Sequence, residues 1–148
     1  MRVTFIRHQK CYNLNPDGTM NYMRVNPPLT PEGIEGAKQL SGNYDLIILS
    51  PMSRCLETFI YSSIQGQRVV KDVFREWMQC PGDFRQHDPH TRYAEAEDEF
   101  KQRVSEGMNY LRNLHLDDIC VVTHSEWIKE ALKLNDIPDY GEEVIVTL

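Results

Sequence analysis

The sequence predicts an α/β protein, a three-layer α/β/α arrangement around a mainly parallel sheet of about five strands. Two observations predict it. Short β-branched apolar runs alternate with helical patterns along the whole chain, and the middle runs lack the polar alternation of a sheet with one wet face. A third observation is size: at 148 residues a single domain spanning 1–148 buries roughly 68–70% of its unfolded surface, enough for a core without staples.

The elements follow in order. Val3 to Ile6 reads as the first strand. Thr30-Pro31 pairs an N-cap with Pro at the first helical position, opening a helix that turns Ile34, Ala37 and Leu40 inward and stops at Gly42; Gly33 and Gly36 each weaken it by roughly 1 kcal/mol. Leu46 to Leu49 is the second strand. Ser50-Pro51 repeats the start signal, and Met52, Cys55, Leu56, Phe59 and Ile60 follow as an apolar stripe at helical spacing. Val69 to Val73 reads as the third strand. Phe100, Val104, Met108, Leu111 and Leu114 mark a long helix from about Arg92 to His115. Ile119 to Thr123 is the fourth strand, a helix from about Ser125 to Leu134 buries Ile128, Ala131 and Leu132, and Val144 to Thr147 is the fifth strand. Trp77 to Thr91, rich in Pro, Gly, Asp and His, reads as a functional loop.

Composition excludes several classes. Sixteen Lys and Arg against 22 Asp and Glu give a formal charge of −6, which disfavours a nucleic-acid partner. Cys11, Cys55, Cys80 and Cys120 form no CxxC pair, so neither a disulfide framework nor a zinc ribbon is expected, and a reducing, cytoplasmic setting is. No apolar run is long enough for a signal peptide or a membrane span. No repeat or linker marks a second domain.

In an open α/β sheet the ligand crevice lies beyond the carboxyl ends of the strands. There the chain delivers Arg7-His8, then Ser50 with Arg54 one turn on, then Arg75-Glu76, then His124-Ser125. Two guanidiniums present planar forks to phosphate oxygens, and helix N-termini near Ser50 and Ser125 would add backbone donors. A neutral imidazole can attack phosphorus in line, a second can stabilise the equatorial oxygens, and a carboxyl such as Glu76 can protonate the leaving oxygen.

Five segments carry a resemblance: FIRHQ at 5–9, NPPLTPEGIEGAKQL at 26–40, LSPMSRCLETF at 49–59, FREW at 74–77 and VVTHSEW at 121–127. In this order they resemble the histidine phosphatase superfamily, the phosphoglycerate-mutase-like proteins, over nearly the whole chain. The PPLT, SPMSR and CPGD stretches are most similar to its plant and fungal phosphatase branch. The resemblance implies that His8 is the phosphorylated nucleophile, that Arg7, Arg54 and His124 bind the phosphoryl group with Ser125 beside them, and that Glu76 is the proton donor. It implies neither cofactor nor metal. The pattern departs from the family's at Gln9, where Gly is usual, at Cys11 in place of a hydroxyl residue, at Leu14, which puts Asn13 one position out of register, and at Ser125, where Gly is usual. Gln9, Asn13 and Glu126 are therefore pocket candidates, Glu126 setting a carboxylate near a dianion.

Each residue also has a milder role. Arg54 can pair with Glu57 or Asp45, His124 can be a core residue, and Glu76 can pair with Arg75 or Arg85 while Asp72, Asp83 and Glu126 compete for the acid role. Cys80 to Arg85 has one residue too few for a cysteine phosphatase loop. Cys80, His87, Asp88 and His90 form a weak zinc set. Tyr12, Tyr22, Trp77 and Tyr93 are candidates to flank the crevice. The expected activity is release of inorganic phosphate from a phosphorylated substrate, which can be a small molecule, a nucleotide or a phosphoprotein. The alternatives are a catalytically inactive phospholigand-binding module and a mutase-type phosphotransferase, the latter short of residues for an enclosing lid. The C-terminal EVIVTL reads as an edge strand open to pairing in a homodimer.

Overall fold

Strand β1 (Arg2–Arg7) lies inside the sheet of this computed structural model, parallel to β4 (Asp118–Thr123) on one side and antiparallel to β5 (Glu143–Thr147) on the other. β2 (Ser41–Leu49) runs parallel to both β4 and β3 (Ser63–Val70), so the strand order is β3-β2-β4-β1-β5. The structure describes residues 1–148 except 14, 22, 23, 87 and 89–93.

Alternation along the strands divides the core. Val3 and Phe5 of β1, Ile48 of β2 and Ile119 and Val121 of β4 face one layer, which holds helix α3 (Glu97–Arg112) through Phe100, Val104, Met108 and Leu111, and helix α4 (Ser125–Leu132) through Trp127 and Ile128. Ile6, Ile47, Leu49, Cys120 and Val122 face the other, where Cys55 of helix α2 (Ser53–Tyr61) packs, with helix α1 (Pro31–Ala37) beside α2. The sheet is therefore covered on both faces, as the unbroken apolar runs predict.

Several boundaries differ from the sequence expectation. The third strand is Ser63–Val70, not Val69 to Val73; as an edge strand it needs pairing on one side only, so Gln65, Gln67 and Arg68 are tolerated there and hide its strand pattern. Residues Asp72–Phe74 instead form a 3-10 turn that buries Phe74. β2 begins at Ser41, because Ser41 and Gly42 pair with Ser63 and Ile64, and this ends α1 at Ala37 rather than at Gly42. The antiparallel β5 is the one exception to parallel pairing. α2 starts at Ser53, and its first N–H is capped from outside by the Asn26 side chain at 2.9 Å, which frees Ser50 for another task. Ile60 lies outside the buried stripe and is exposed. The expected start of the third helix at Arg92 lies outside the described residues; Ala94 to Ala96 are non-helical and α3 begins at Glu97. α4 ends at Leu132, two residues early, where Lys133 turns left-handed.

Two close approaches place the loop after β1. Thr30 caps α1 by accepting from the Gly33 N–H at 3.1 Å, and Gly33 sits so near the Lys10 carbonyl that a Cβ there would collide with backbone. The glycines that cost α1 helix propensity are the ones that let it abut residues 9 and 10.

Candidate active site

The four strand-end segments converge as expected. Arg7 and His8 follow β1, Ser50 follows β2, Arg54 lies in the first turn of α2, Glu76 follows the 3-10 turn, and His124 follows β4. Arg7, His8, Arg54, Glu76 and Ser125 line one cavity of about 520 Å³, with Cys11, Asn13, Trp77, Asp83, Glu126 and Tyr140 among the rest of its wall.

His8 is buried, and its Nδ1 lies 2.7 Å from the Gln9 carbonyl. A carbonyl only accepts, so the proton is on Nδ1, and the Nε2 lone pair has no hydrogen-bond partner among the described residues. Burial, then the nearby Arg54 charge, hold the imidazole well below the ordinary histidine range, so it is neutral at pH 7. His124, fully buried, stands with its ring 5.3 Å from that of His8. Its Nε2 is 2.8 Å from the Ser50 hydroxyl, which itself accepts weakly from the Met52 N–H at 3.5 Å. Nε2 is the acceptor that the Ser50 hydroxyl meets among the described residues, and the Cys55 thiol stands 3.4 Å from the same nitrogen; with Ser50 donating to Nε2, the His124 proton sits on Nδ1, an atom that has no hydrogen-bond partner among the described residues. One imidazole thus offers a lone pair and its neighbour a spare N–H. Burial and the Arg54 charge also hold His124 well below the ordinary range.

The arginines have partners the sequence did not suggest. Arg7 Nη1 donates to the Pro138 carbonyl at 2.8 Å, and its guanidinium lies 3.9 Å over the Tyr140 ring. Arg54 pairs with neither Glu57 nor Asp45: its Nη1 donates to the Gly82 carbonyl at 2.9 Å and its Nη2 meets Asp83 at 3.3 Å. Arg75 points away from the cavity, fully buried, against Asp88 at 2.6 Å and the Asp83 carbonyl at 2.7 Å.

Among the described residues Glu76 pairs with no arginine side chain. Its Oε1 accepts from the Trp77 and Trp127 N–H groups at 3.0 and 3.1 Å, and its Oε2 from the Ser125 hydroxyl and the Glu126 N–H at 3.2 and 3.1 Å. The N-terminus of α4, expected to serve the phosphoryl group, is taken up by this carboxylate, and the Ser125 hydroxyl with it. Burial, then the charge of Asp83, nevertheless push the Glu76 carboxyl up to about 7 against the pull of those donors. That suits proton transfer near neutrality.

Gln9 does not line the cavity. Its N–H donates to Thr58 at 2.9 Å, and its side chain turns back between Gly36 and Gly141, where a Cβ on either glycine would strike it. Gly141 also carries a φ of +70°. The departure from the usual glycine is thus absorbed by two glycines elsewhere. Asn13, Glu126 and Trp77 do line the cavity, and Trp77 stacks on Phe100 at 5.3 Å. Tyr12 lies under Arg24 instead. Leu14, Tyr22, His87, His90 and Tyr93 lie outside the described residues, so of the zinc set only Cys80 and Asp88 are placed, Cys80 on Asp83 and Asp88 on Arg75. Among the described residues no three His, Cys, Asp or Glu side chains group as a metal site.

Sequence reasoning missed Tyr140 and Arg103, and offered Asp83 only as a rival for the acid role, whereas it holds Arg54. Tyr140 was signalled only by an aromatic beside a turn glycine. Arg103 uses all five guanidinium N–H donors: on Glu95 at 2.9 and 2.8 Å, and on the carbonyls of Val73, Arg75 and Glu76 at 3.0, 2.6 and 2.9 Å. It thereby fixes the backbone that presents Glu76.

The fold is phosphoglycerate-mutase-like. The α-ribazole phosphatase of Shigella flexneri superposes with a TM-score of 0.71 at 20% identity, over 100% of this chain and 91% of that one. The phosphoglycerate mutase of Thermus thermophilus superposes at 0.68 and 17% identity, over 99% and 92%. No protein-family model matches the chain, and no curated protein matches it.

Proposed function

We propose that the chain is a phosphomonoester hydrolase that works through phospho-His8. The observation that carries this is a pair of buried neutral imidazoles 5.3 Å apart: His8, whose Nε2 keeps its lone pair on a cavity wall shared with Arg7 and Arg54, and fully buried His124, whose Nδ1 has no hydrogen-bond partner among the described residues. In the first step the His8 Nε2 lone pair forms an N–P bond as the ester P–O bond breaks, and the leaving oxygen takes the Glu76 proton. Arg7, Arg54 and the His124 Nδ1–H hold the three equatorial oxygens. Water then attacks phosphorus, gives a proton to Glu76 and breaks the N–P bond, returning both residues to their starting forms. The likeness in fold to a phosphatase and to a mutase supports phosphoryl chemistry at this position.

The test is hydrolysis of an aryl phosphate in the presence of chelator by the wild-type chain and by His8→Ala. Turnover by the wild type alone is expected; equal activity of the two overturns the mechanism. One observation favours a second reading, a phospholigand-binding module without turnover: both arginines already donate to protein oxygens, Arg7 to Pro138 and Arg54 to Gly82 and Asp83. Tight phosphate binding with no hydrolysis, unchanged in His8→Ala, selects it.

A further inference from the structure

Asp83 is a carboxylate on the wall of an anion cavity, where simple electrostatics disfavours it. Its surroundings explain why it is there. Oδ1 meets Arg54 Nη2 at 3.3 Å, and the preceding carbonyl, of Gly82, accepts from Arg54 Nη1 at 2.9 Å. Oδ2 accepts from the Gln79 and Cys80 N–H groups at 2.9 and 3.2 Å. The Asp83 carbonyl accepts from Arg75 at 2.7 Å, and fully buried Arg75 is clamped in turn by Asp88. The chain Asp88–Arg75–Asp83–Arg54 therefore reaches from the loop interior to the cavity. Such a carboxylate is not poised to swing aside for an incoming dianion; it is an anchor.

Arg54 is left with its Nε–H unbonded among the described residues, besides a second N–H on each Nη. We propose that Asp83 is a positioning residue, holding the Arg54 guanidinium by its Nη edge so that its remaining N–H donors are presented to a bound phosphoryl group. This rests on the phosphoryl-binding reading of the cavity, and it adds the residue that organises it. A guanidinium on a flexible stem loses side-chain entropy on binding, and a pre-set fork has already lost it. Asp83 has a second consequence, since its charge helps hold the Glu76 proton. The other charged and titratable groups about Glu76 are Arg54 from α2, Glu126 from α4, Arg103 from α3 on its carbonyl, and the neutral imidazoles of His8 and His124.

The experiment is calorimetric binding of inorganic phosphate to the full chain and to Asp83→Asn and Asp83→Glu, with thermal melts as the folding control and a 13C carboxyl titration of Glu76 by NMR. Positioning predicts phosphate binding about tenfold weaker in both variants, although Asp83→Asn removes a negative charge from the cavity. The Glu76 midpoint is expected to fall by about one pH unit in Asp83→Asn and to hold in Asp83→Glu, which keeps the charge. Tighter phosphate binding by Asp83→Asn overturns the proposal and makes Asp83 a competitor for Arg54; so does unchanged binding in folded variants. If Asp83→Asn does not fold, Asp83→Glu alone decides the binding arm. A wild type that binds phosphate without hydrolysing an aryl ester defeats the hydrolase reading and leaves this one standing. A wild type that binds no phosphate defeats both.

Discussion

Replacing Glu76 by Gln tests the general acid directly. Held up to about 7, the carboxyl keeps its proton about 3 kcal/mol more tightly than an exposed one. Half the molecules then carry the proton at pH 7 and about one-tenth at pH 8. The protonated form is the active one for a poor leaving group, so kcat/KM on an alkyl phosphate is expected to fall about tenfold per unit above pH 7, with no such fall on an aryl phosphate, whose leaving group needs no proton. Glu76→Gln is expected to lower kcat/KM on the alkyl ester by about 10²–10⁴ and to abolish its alkaline limb, while the aryl ester stays within about fivefold. The amide nitrogen of Gln has to face one of the N–H groups that now donate to the carboxylate, at a cost of about 1–2 kcal/mol. The comparison is therefore made well below the melting temperature of the variant. Paired pH profiles on the two esters are the assay. An alkaline limb that survives in Glu76→Gln, or an equal loss on both substrates, refutes the assignment.

Three further outcomes follow from packing. Gln9→Gly is expected to keep aryl phosphatase activity within a few-fold, because the side chain lies between Gly36 and Gly141 outside the cavity, yet to cost about 1–3 kcal/mol in a denaturant melt through the buried space it leaves and the added backbone freedom. Gly107→Ala raises helix propensity by about 1 kcal/mol, but its Cβ would stand 2.6 Å from the Trp127 ring, whose Nε1 is fixed on the Val73 carbonyl; overpacking wins, and a net loss of about 1–2 kcal/mol is expected by the same melt. Arg103→Met strips five hydrogen bonds and leaves Glu95 buried without its cation, so a loss of about 3–5 kcal/mol is expected, together with a lower Tm and a selective fall in alkyl ester hydrolysis as Glu76 loses its support.

The fold was legible where apolar side chains decide it. β1 and β4 lie where their β-branched runs put them, because central strands buried on both faces have no polar pattern to confuse, and β5 keeps its place at an edge because Val144 and Val146 pack on the core. β3 was misplaced for the opposite reason. An edge strand is held by backbone pairing with β2 and carries Gln and Arg without penalty, so its side chains say little about its course. α1 was overextended because helix propensity is local, whereas its end is imposed by Ser41 and Gly42 pairing with residues far along the chain.

The candidate site divides in the same way. The residue types that meet at the strand ends were readable, since the sheet's direction alone brings Arg7, His8, Arg54, Glu76 and His124 to one rim. Their partners were not. Gln9 turns from the cavity only because glycines at 36 and 141, more than a hundred residues apart in sequence, leave room for it, and no local pattern couples those positions. The α4 N-terminus was assigned to the anion on the general rule that helix N-termini bind anions, and the rule holds, but the anion is the protein's own Glu76. This exchange has a chemical consequence. Donors committed to Glu76 fix its carboxyl oxygens beside the cavity, so in the proposed mechanism the phosphoryl group falls to Arg7, Arg54 and the Nδ1–H of His124. The two charges of that proposed site, Arg7 and Arg54, are held by Tyr140 and Asp83, and its neutral imidazole His124 by Ser50, which is why residues one contact removed from the cavity chemistry, invisible to motif spacing, bear so much of the geometry.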